Sequence, residues 1–519
     1  MEARTLVAIE IASSKIKGAV AETAADGRMN VIAVEELHTV DSVRHGRVQN
    51  IREVSAAVNE IIRKLENNPA VAPRKVQSVV LSLGGRSLAG TPASATLQFP
   101  HEIEVTDQTV NRLMSEAAKD FVGSKNIEAI MARNYYVNNV LVKPVVGTVG
   151  TSLRGDFLML TCSRETRQNL MRLKFDSIRA GEVDLVLRAT AIAEAVLTDD
   201  DRQLGCALVD FGAETTTVSV YKGGTLAFMS TLPMGSRLIT MDLMAGLTLT
   251  EAQAEDFKLT LGNLGDIPDT AANATEVNNY VRARAGEIAA NIVNQIEASG
   301  ISAENLGAGI ILTGGGAKLP GFGTMLSQQS RMTLRHGALP LFVRFADSSQ
   351  ATPDNIDVVS LLAAARNKAD FEGLTPAPQA IEPEPEEEIA IFTTPDKIDD
   401  DEADDRAARI AATADDEPRR AERRPERRTV YEDDEDLMID DDDDDEAFSR
   451  RRRRNEQMRR EEQPKRRPFI PDIDDEDEAD DDAPAEGGDS IKEANGLLER
   501  LKHGIANFFN TGEDEEDDD

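Results

Sequence analysis

Leu6-Val7-Ala8-Ile9-Glu10-Ile11-Ala12-Ser13-Ser14-Lys15 recurs in outline, about 200 residues later, as Ala207-Leu208-Val209-Asp210-Phe211-Gly212-Ala213-Glu214-Thr215. Each copy is a short apolar run that ends in a carboxylate, passes through a turn of small or hydroxyl-bearing residues, and resumes as a second apolar run, Ile16–Val20 in one case and Thr217–Tyr221 in the other. A second turn follows each, at Asp26-Gly27 and at Gly223-Gly224. The duplication predicts two similar lobes facing one another. A third element, Gly309-Ile310-Ile311-Leu312-Thr313-Gly314-Gly315-Gly316-Ala317-Lys318, reads as strand, glycine turn and helix. Between them, Glu53–Asn67 carries Val54, Ala57, Val58, Ile61, Ile62 and Leu65 on one helical face, Val76–Leu83 is a buried-strand candidate, and a helix over Asp357–Asn367 closes the head. Alternation of this kind predicts an α/β fold of two lobes with a duplicated core.

The charge is distributed unevenly. Of the formal −36, about −31 falls after residue 370. The preceding chain is therefore nearly neutral and globular in composition, and the bulk acidity argues against nucleic acid, which recruits positive surface. Residues 371–489 are dominated by Pro, Glu, Asp and Arg, with runs at Asp440–Asp445 and Arg450–Arg454; such a segment buries too little apolar surface to offset its ordering entropy and is expected to be disordered. The two cysteines, Cys162 and Cys206, sit in apolar runs and form no disulfide framework. No apolar stretch reaches the ~20 residues of a bilayer span, so a membrane role would need an element lying on the surface.

Phosphates bind where backbone N–H groups converge and no side chain intrudes. The two small-residue turns supply two such cradles, with hydroxyls from Ser13, Ser14 and Thr215, the charge of Lys15, and the small Gly212. Glu10 and Asp210 beside them suit a hydrated Mg²⁺ held through water rather than bound directly, and Gly314, Gly315 and Gly316, followed by Lys318, let a purine and ribose approach the backbone. Each part alone is more often a plain turn; the combination in this order is the signal. A P-loop is excluded, no Cys/His cluster has metal-ligand spacing, and no catalytic residue stands out.

With these residues in hand, the chain resembles the FtsA family of bacterial actin homologues over about residues 5–370 and again at its C-terminal helix. Glu10–Lys15 resembles the first phosphate loop, Val209-Asp210-Phe211-Gly212 the start of the second, and Leu312–Ala317 the adenosine motif. The segment from Gly84-Gly85-Arg86 through Val105-Thr106-Asp107 to Phe157–Cys162 resembles the extra subdomain of that family. The resemblance implies an actin-like fold with a first lobe over 1–203, the inserted subdomain over about 84–160, and a second lobe over 204–370. It implies ATP and Mg as ligands, nucleotide contacts from Glu255 and Lys258 (otherwise an exposed pair three apart on a helix), and at most a weak ATPase. Ala12 stands where glycine is usual in the first loop, and Ala213 and Glu214 where two are common in the second; a carboxylate there repels a triphosphate unless it turns away. The resemblance also implies capture of the C-terminal peptide of the tubulin homologue FtsZ by a small subdomain over about 241–304, whose helix Val281–Ser299 carries Arg282, Arg284 and Asn291.

Periodicity returns at Ser490-Ile491-Lys492-Glu493, which has capping-box spacing. Leu497, Leu498, Leu501, Ile505, Phe508 and Phe509 form an apolar stripe with Arg500 and Lys502 beside it, the composition of an interfacial membrane helix over 490–510, followed by an acidic tail over 511–519. The expectation is a division-site protein, peripheral on the cytoplasmic side of the inner membrane, that self-associates, tethers FtsZ and recruits other division proteins. Two rivals share the superfamily: an adaptor of type IV pilus assembly and a small-molecule kinase.

Overall fold

The computed structural model describes residues 4–376 apart from 40, 120–124, 177, 266–273 and 369. The charged linker beyond these, the helix over 490–510 and the acidic tail lie outside the described residues.

The chain begins with β1 (Thr5–Ile11), β2 (Lys15–Thr23) and β3 (Met29–His38), an antiparallel meander in which Glu10 faces Lys17 across the register. A small hairpin, β4 (Val43–Arg44) and β5 (Arg47–Val48), leads to α1 (Ile51–Asn67) and β6 (Ser78–Leu83). Helix α1 starts where the Asn50 side chain accepts from the Glu53 N–H, and buries Val54, Val58, Ile61, Ile62 and Leu65, the face its 3–4 spacing predicts. Next come β7 (Ala89–Glu104), α2 (Asp107–Ala118), β8 (Asn126–Val137), β9 (Val140–Val142) and β10 (Val149–Cys162). They make a separate four-stranded sheet of order β7-β10-β8-β9 with α2 on its apolar face. This sheet falls within the segment, about 84–160, where an inserted subdomain was expected. The chain returns through α3 (Arg164–Asp176) and β11 (Glu182–Leu187) to α4 (Arg188–Val196) and α5 (Asp199–Leu204).

The second half repeats the first. Strands β12 (Cys206–Phe211), β13 (Thr216–Lys222) and β14 (Thr225–Leu232) form another meander. Helices α6 (Arg237–Leu247), α7 (Glu251–Leu261) and α8 (Ala274–Ala298) follow, then β15 (Gly309–Thr313), α9 (Phe322–Ser330) and β16 (Leu334–His336). The sheet order is β14-β13-β12-β15-β16, against β11-β6-β1-β2-β3 in the first lobe, so strand for strand both sheets run fifth, fourth, first, second, third. In both, the first strand pairs antiparallel with the second and parallel with the fourth. The duplication expected from two short loops thus extends over the full sheets.

Strand β17 (Val343–Phe345) adds to β3, and α10 (Ile356–Arg366) packs Val358, Val359, Leu361 and Leu362 with Leu6, Ala8 and Ala191, returning the chain to the first lobe. The head continues past the expected boundary at 370. Phe371 and Leu374 are buried, and Gly373 N–H donates to Thr5 O at 2.7 Å. Five residues assigned to the linker by composition therefore close over the N-terminal ends of β1 and β6. Among the described residues no helix is long and apolar enough to cross a membrane.

Candidate functional site

Glu10 and Asp210 are the penultimate residues of β1 and β12, so the duplication places one carboxylate at the same end of each sheet. Both are buried. What lies between them was not foreseen: the guanidinium of Arg188, the first residue of α4. Its Nη2 stands 2.8 Å from Asp210 Oδ2 and 3.3 Å from Asp357 Oδ1 in the first turn of α10, and its Nε is 3.2 Å from Glu10 Oε1. Burial, with Asp357 adding to it, pushes the Glu10 carboxyl up to about 8. Burial pushes Asp210 up to about 6 against the pull of Arg188. Burial works against the charge on Arg188, but Asp210, Asp357 and Glu10 together hold its pKa above the ordinary value. Two atoms of the cluster, Asp210 Oδ1 and Arg188 Nε, lack a hydrogen-bond partner. Lys17 is buried beside Glu10 on β2 and donates to Asp354 O and, at 3.1 Å, to Asn355 Oδ1; burial and then Lys15 lower its pKa.

The two small-residue turns are tight. Ala12 N–H donates to Lys15 O at 3.0 Å and Gly212 N–H to Thr215 O at 2.9 Å. Neither Ala12, Ala213 nor Glu214 has a positive φ, so the backbone accepts a side chain at the positions where glycine was expected. Ser13 is buried and its Oγ accepts from Gly46 N–H at 2.9 Å; Ser14 is exposed; Lys15 pairs with Glu36 at 3.2 Å. Glu214 does turn away from the cradle. Its carboxylate accepts from Arg44 Nη1 at 2.9 Å, His45 N–H at 2.6 Å and Arg237 Nη1 at 3.2 Å. Asp41 pairs with both arginines, at 2.8 Å and 3.2 Å. The β4–β5 hairpin thereby clips the two lobes together. Its tip, Gly46 (φ +72), packs so closely on Gly85 that a Cβ would lie 2.6 Å from the Gly85 Cα.

The glycine triplet divides by role. Gly314 has φ +90, and a Cβ there would sit 2.3 Å from Phe211 O and 2.7 Å from Asp210 Oδ1; a Cβ on Gly316 would meet the Phe211 ring at 2.8 Å. These two are glycines because β15 packs on β12. A Cβ on Gly315 meets nothing within 4 Å, and the residue is exposed. Lys318 reaches Asp354, which lies beside α10. A cavity of about 620 Å³ opens beside Gly314, Ala317, Lys318 and His336; the two phosphate turns, Glu255 and Lys258 do not line it.

Glu255 and Lys258 are on α7 as expected, but Lys258 is buried rather than exposed. Its Nζ donates to Glu255 Oε2 at 2.7 Å and to Thr240 Oγ1 at 3.0 Å, and Glu255 Oε2 accepts from Thr240 Oγ1 at 2.6 Å. Thr240 belongs to α6, whose start is held to the second turn by Ser236 N–H to Gly212 O at 3.0 Å and Arg237 N–H to Ala213 O at 2.8 Å. The pair thus braces the helix that abuts the Gly212–Thr215 turn. On α8, Arg284 is bidentate to Asp242 at 2.6 and 2.9 Å and reaches Glu287 at 2.7 Å. Asn291 donates to Glu287 O at 2.9 Å, and Arg282 to Leu264 O at 3.1 Å. At about 100° per residue, Arg284 and Asn291 share a face and Arg282 points elsewhere. The membrane candidates Leu497, Leu498, Arg500, Leu501, Lys502, Ile505, Phe508 and Phe509 lie outside the described residues.

Where a water-held Mg²⁺ was expected beside Glu10 and Asp210, the structure places the guanidinium of Arg188. Glu10 and Asp210 both face a guanidinium, and among the described residues no group of three His, Cys, Asp or Glu side chains is placed to hold a metal ion. Arg188, Lys17, Asp357 and the hairpin residues Arg44, His45 and Gly46 escaped the sequence reading. The available signals were a lone arginine between an apolar strand and an apolar helix, a lysine inside a buried strand, and a His-Gly turn flanked by valines.

The family model "Cell division protein FtsA" matches residues 207–354. The cell division protein FtsA of Porphyromonas gingivalis is 30% identical over 329 residues, covering 60% of this chain and 68% of that protein. The FtsA proteins of Borreliella burgdorferi and Escherichia coli are 24% and 23% identical, over 94% and 84% of their lengths and 72% and 64% of this chain. Among solved structures, the PilM-PilN type IV pilus biogenesis complex superposes with a TM-score of 0.51 at 14% identity, over 69% of this chain and 98% of that one; this likeness is one of fold alone. The fold is the two-lobed actin-like one. With the family model, the relatives and the duplicated sheets in agreement, the chain belongs to the FtsA family and has a role in cell division.

Proposed function

We propose that this protein binds ATP between its lobes, self-associates head to tail, captures the C-terminal peptide of FtsZ on the second lobe, and holds the assembly on the cytoplasmic face of the membrane through residues 490–510. The observation that carries the nucleotide reading is the convergence of two strand-end turns and a glycine loop: Glu10 and Asp210 share Arg188, and Asp210 Oδ1 lies 2.7 Å from where a Cβ on Gly314 would fall. The chain's own residues divide the work. The N–H groups of the turns between Ala12 and Lys15 and between Gly212 and Thr215, apart from those of Ala12 and Gly212 that close the turns, receive phosphate oxygens. Exposed Gly315 lets the nucleoside lie flat on the backbone. Thr240, Glu255 and Lys258 keep α6 seated on the second turn. The Glu214 clip with Arg44 and Arg237 holds the lobes closed around the ligand.

Membrane attachment follows from the terminal stripe. A single amphipathic helix binds reversibly, so attachment strengthens steeply when many heads associate. Liposome co-sedimentation with and without purified FtsZ tests the whole reading. The protein should pellet with anionic vesicles and bring FtsZ with it, and Leu501→Glu together with Phe508→Glu should abolish both. If that double variant still pellets, the helix is not the anchor.

A further inference from the structure

The place where two strand-end carboxylates face a phosphate site calls for a cation, because phosphates and carboxylates repel across a few ångströms of low-dielectric interior. Here a cation is already present and is part of the chain. Arg188 Nη2 is 2.8 Å from Asp210 Oδ2 and 3.3 Å from Asp357 Oδ1, with Nε 3.2 Å from Glu10 Oε1. The three carboxylates come from β1, β12 and α10, so one guanidinium joins both lobes to the closing helix. A guanidinium remains charged at any physiological pH and presents a planar fork of donors, which suits it to sit between carboxylates and a phosphate. It also stands between the same oxygens that a hydrated divalent ion would face.

The cluster is incomplete in a particular way. Asp210 is 6% exposed, yet its Oδ1 has no hydrogen-bond partner, and neither does Arg188 Nε. The unpaired acceptor lies beside the Gly314 backbone, at the edge of the adenosine loop. Buried polar atoms are rarely left unsatisfied in a finished structure, so Asp210 Oδ1 has the form of an acceptor that a donor of a bound ligand, such as a ribose hydroxyl or a ligand-bound water, completes.

We propose that Arg188 is the resident cation of this site, pairing with Glu10, Asp210 and Asp357 beside the phosphates of a bound nucleoside di- or triphosphate in the place a divalent metal ion would take, so that the nucleotide is held without one. The inference rests on the nucleotide reading above. Its consequence is that affinity does not depend on magnesium, and that removing the guanidinium creates a need for magnesium that the native protein lacks. Without Arg188, three carboxylates face the phosphates, and a divalent ion becomes the available remedy.

The test uses the full chain. Fluorescent ADP and ATP are titrated into wild type and Arg188→Met, each in excess magnesium chloride and in excess EDTA, and the melting temperature of each nucleotide-free protein is taken with and without magnesium. Wild-type dissociation constants should agree within about threefold between the two conditions, while Arg188→Met should lose at least about tenfold in EDTA. Magnesium should raise the melting temperature of Arg188→Met and leave that of wild type unchanged. A tenfold loss for wild type in EDTA overturns the proposal, as does a wild-type melting temperature that rises with magnesium as the variant's does. If neither protein binds nucleotide but magnesium stabilises only the variant, the nucleotide reading fails and the resident cation stands. If Arg188→Met does not fold, the paired wild-type titrations decide alone.

Discussion

Gly315 offers a perturbation in which ligand binding and folding separate. A side chain at Gly314 would be forced into φ +90 with its Cβ 2.3 Å from Phe211 O, and one at Gly316 would strike the Phe211 ring at 2.8 Å. Substitutions at those two positions damage the β12–β15 contact whatever the site binds. Gly315 has neither constraint: a Cβ there finds no atom within 4 Å, and the residue is exposed without a positive φ. An exposed substitution away from such features changes stability by about 0.5 kcal/mol or less, which corresponds to a melting shift of roughly 1–2 °C. Gly315→Phe should therefore fold like wild type. A phenyl ring at that position fills the space proposed for the nucleoside, and losing a tenth or less of the affinity is excluded by so large an obstruction; the expected weakening is at least tenfold, or about 1.4 kcal/mol. Calorimetric titration with ATP, read beside thermal melts of Gly315→Phe and Gly314→Ala, makes the measurement. Wild-type affinity in a well-folded Gly315→Phe would refute the placement of the nucleoside on this loop, and a collapsed Gly315→Phe would refute the claim that the position is open.

Three further outcomes follow from the ion-pair geometry. Arg284→Ala should weaken FtsZ-peptide binding about tenfold if this arginine meets an acidic peptide, while its half-exposed pairs with Asp242 and Glu287 cost only about 0.2–1 kcal/mol of stability when lost; unchanged affinity would move the peptide site off this face of α8. Glu214→Ala should loosen the clip between the lobes by about 1–3 kcal/mol, since it strips acceptors from Arg44, Arg237 and the His45 N–H; hydrogen exchange across residues 43–48 should quicken about tenfold, and unaltered exchange would show that the hairpin is held by other contacts. Glu10 has a folded pKa of about 8 against an ordinary 4.5, so the folded protein keeps a proton that the unfolded chain releases, and this contribution to stability is full below about pH 4.5 and is lost as pH rises through 8. Melting temperature should accordingly decline between pH 5 and about 8, and Glu10→Gln should flatten that slope; an identical slope in the variant would remove Glu10 as its source.

The sequence was legible where local physics decides the structure and opaque where distant segments meet. The strands at Thr5–Ile11 and Cys206–Phe211 announce themselves because every residue in them except the terminal carboxylate and one threonine is apolar, and the same end carries the same kind of turn. Helix α1 is readable because its buried residues recur every three or four positions. Arg188 is different. Nothing within ten residues explains an arginine there, since its partners are at positions 10, 210 and 357, brought together only by the sheet duplication and the return of α10. The same holds for Glu214, which looked like an obstacle to phosphate binding so long as its partners at 44, 45 and 237 were unknown. Lys258 looked like half of a surface pair because helical spacing places Glu255 beside it but says nothing of Thr240 above it. Residues 371–375 were misread for the opposite reason. Composition there had already turned toward the linker, yet Phe371 and Leu374 find pockets against β1 and β6 that no local count can anticipate. A charged residue stranded in an apolar stretch is therefore the feature of this chain that most repaid a structural answer: for Arg188 and Glu214 part of the counter-charge lies across the lobes or on the closing helix, at Asp210 and Asp357 for the first and at Arg44 for the second.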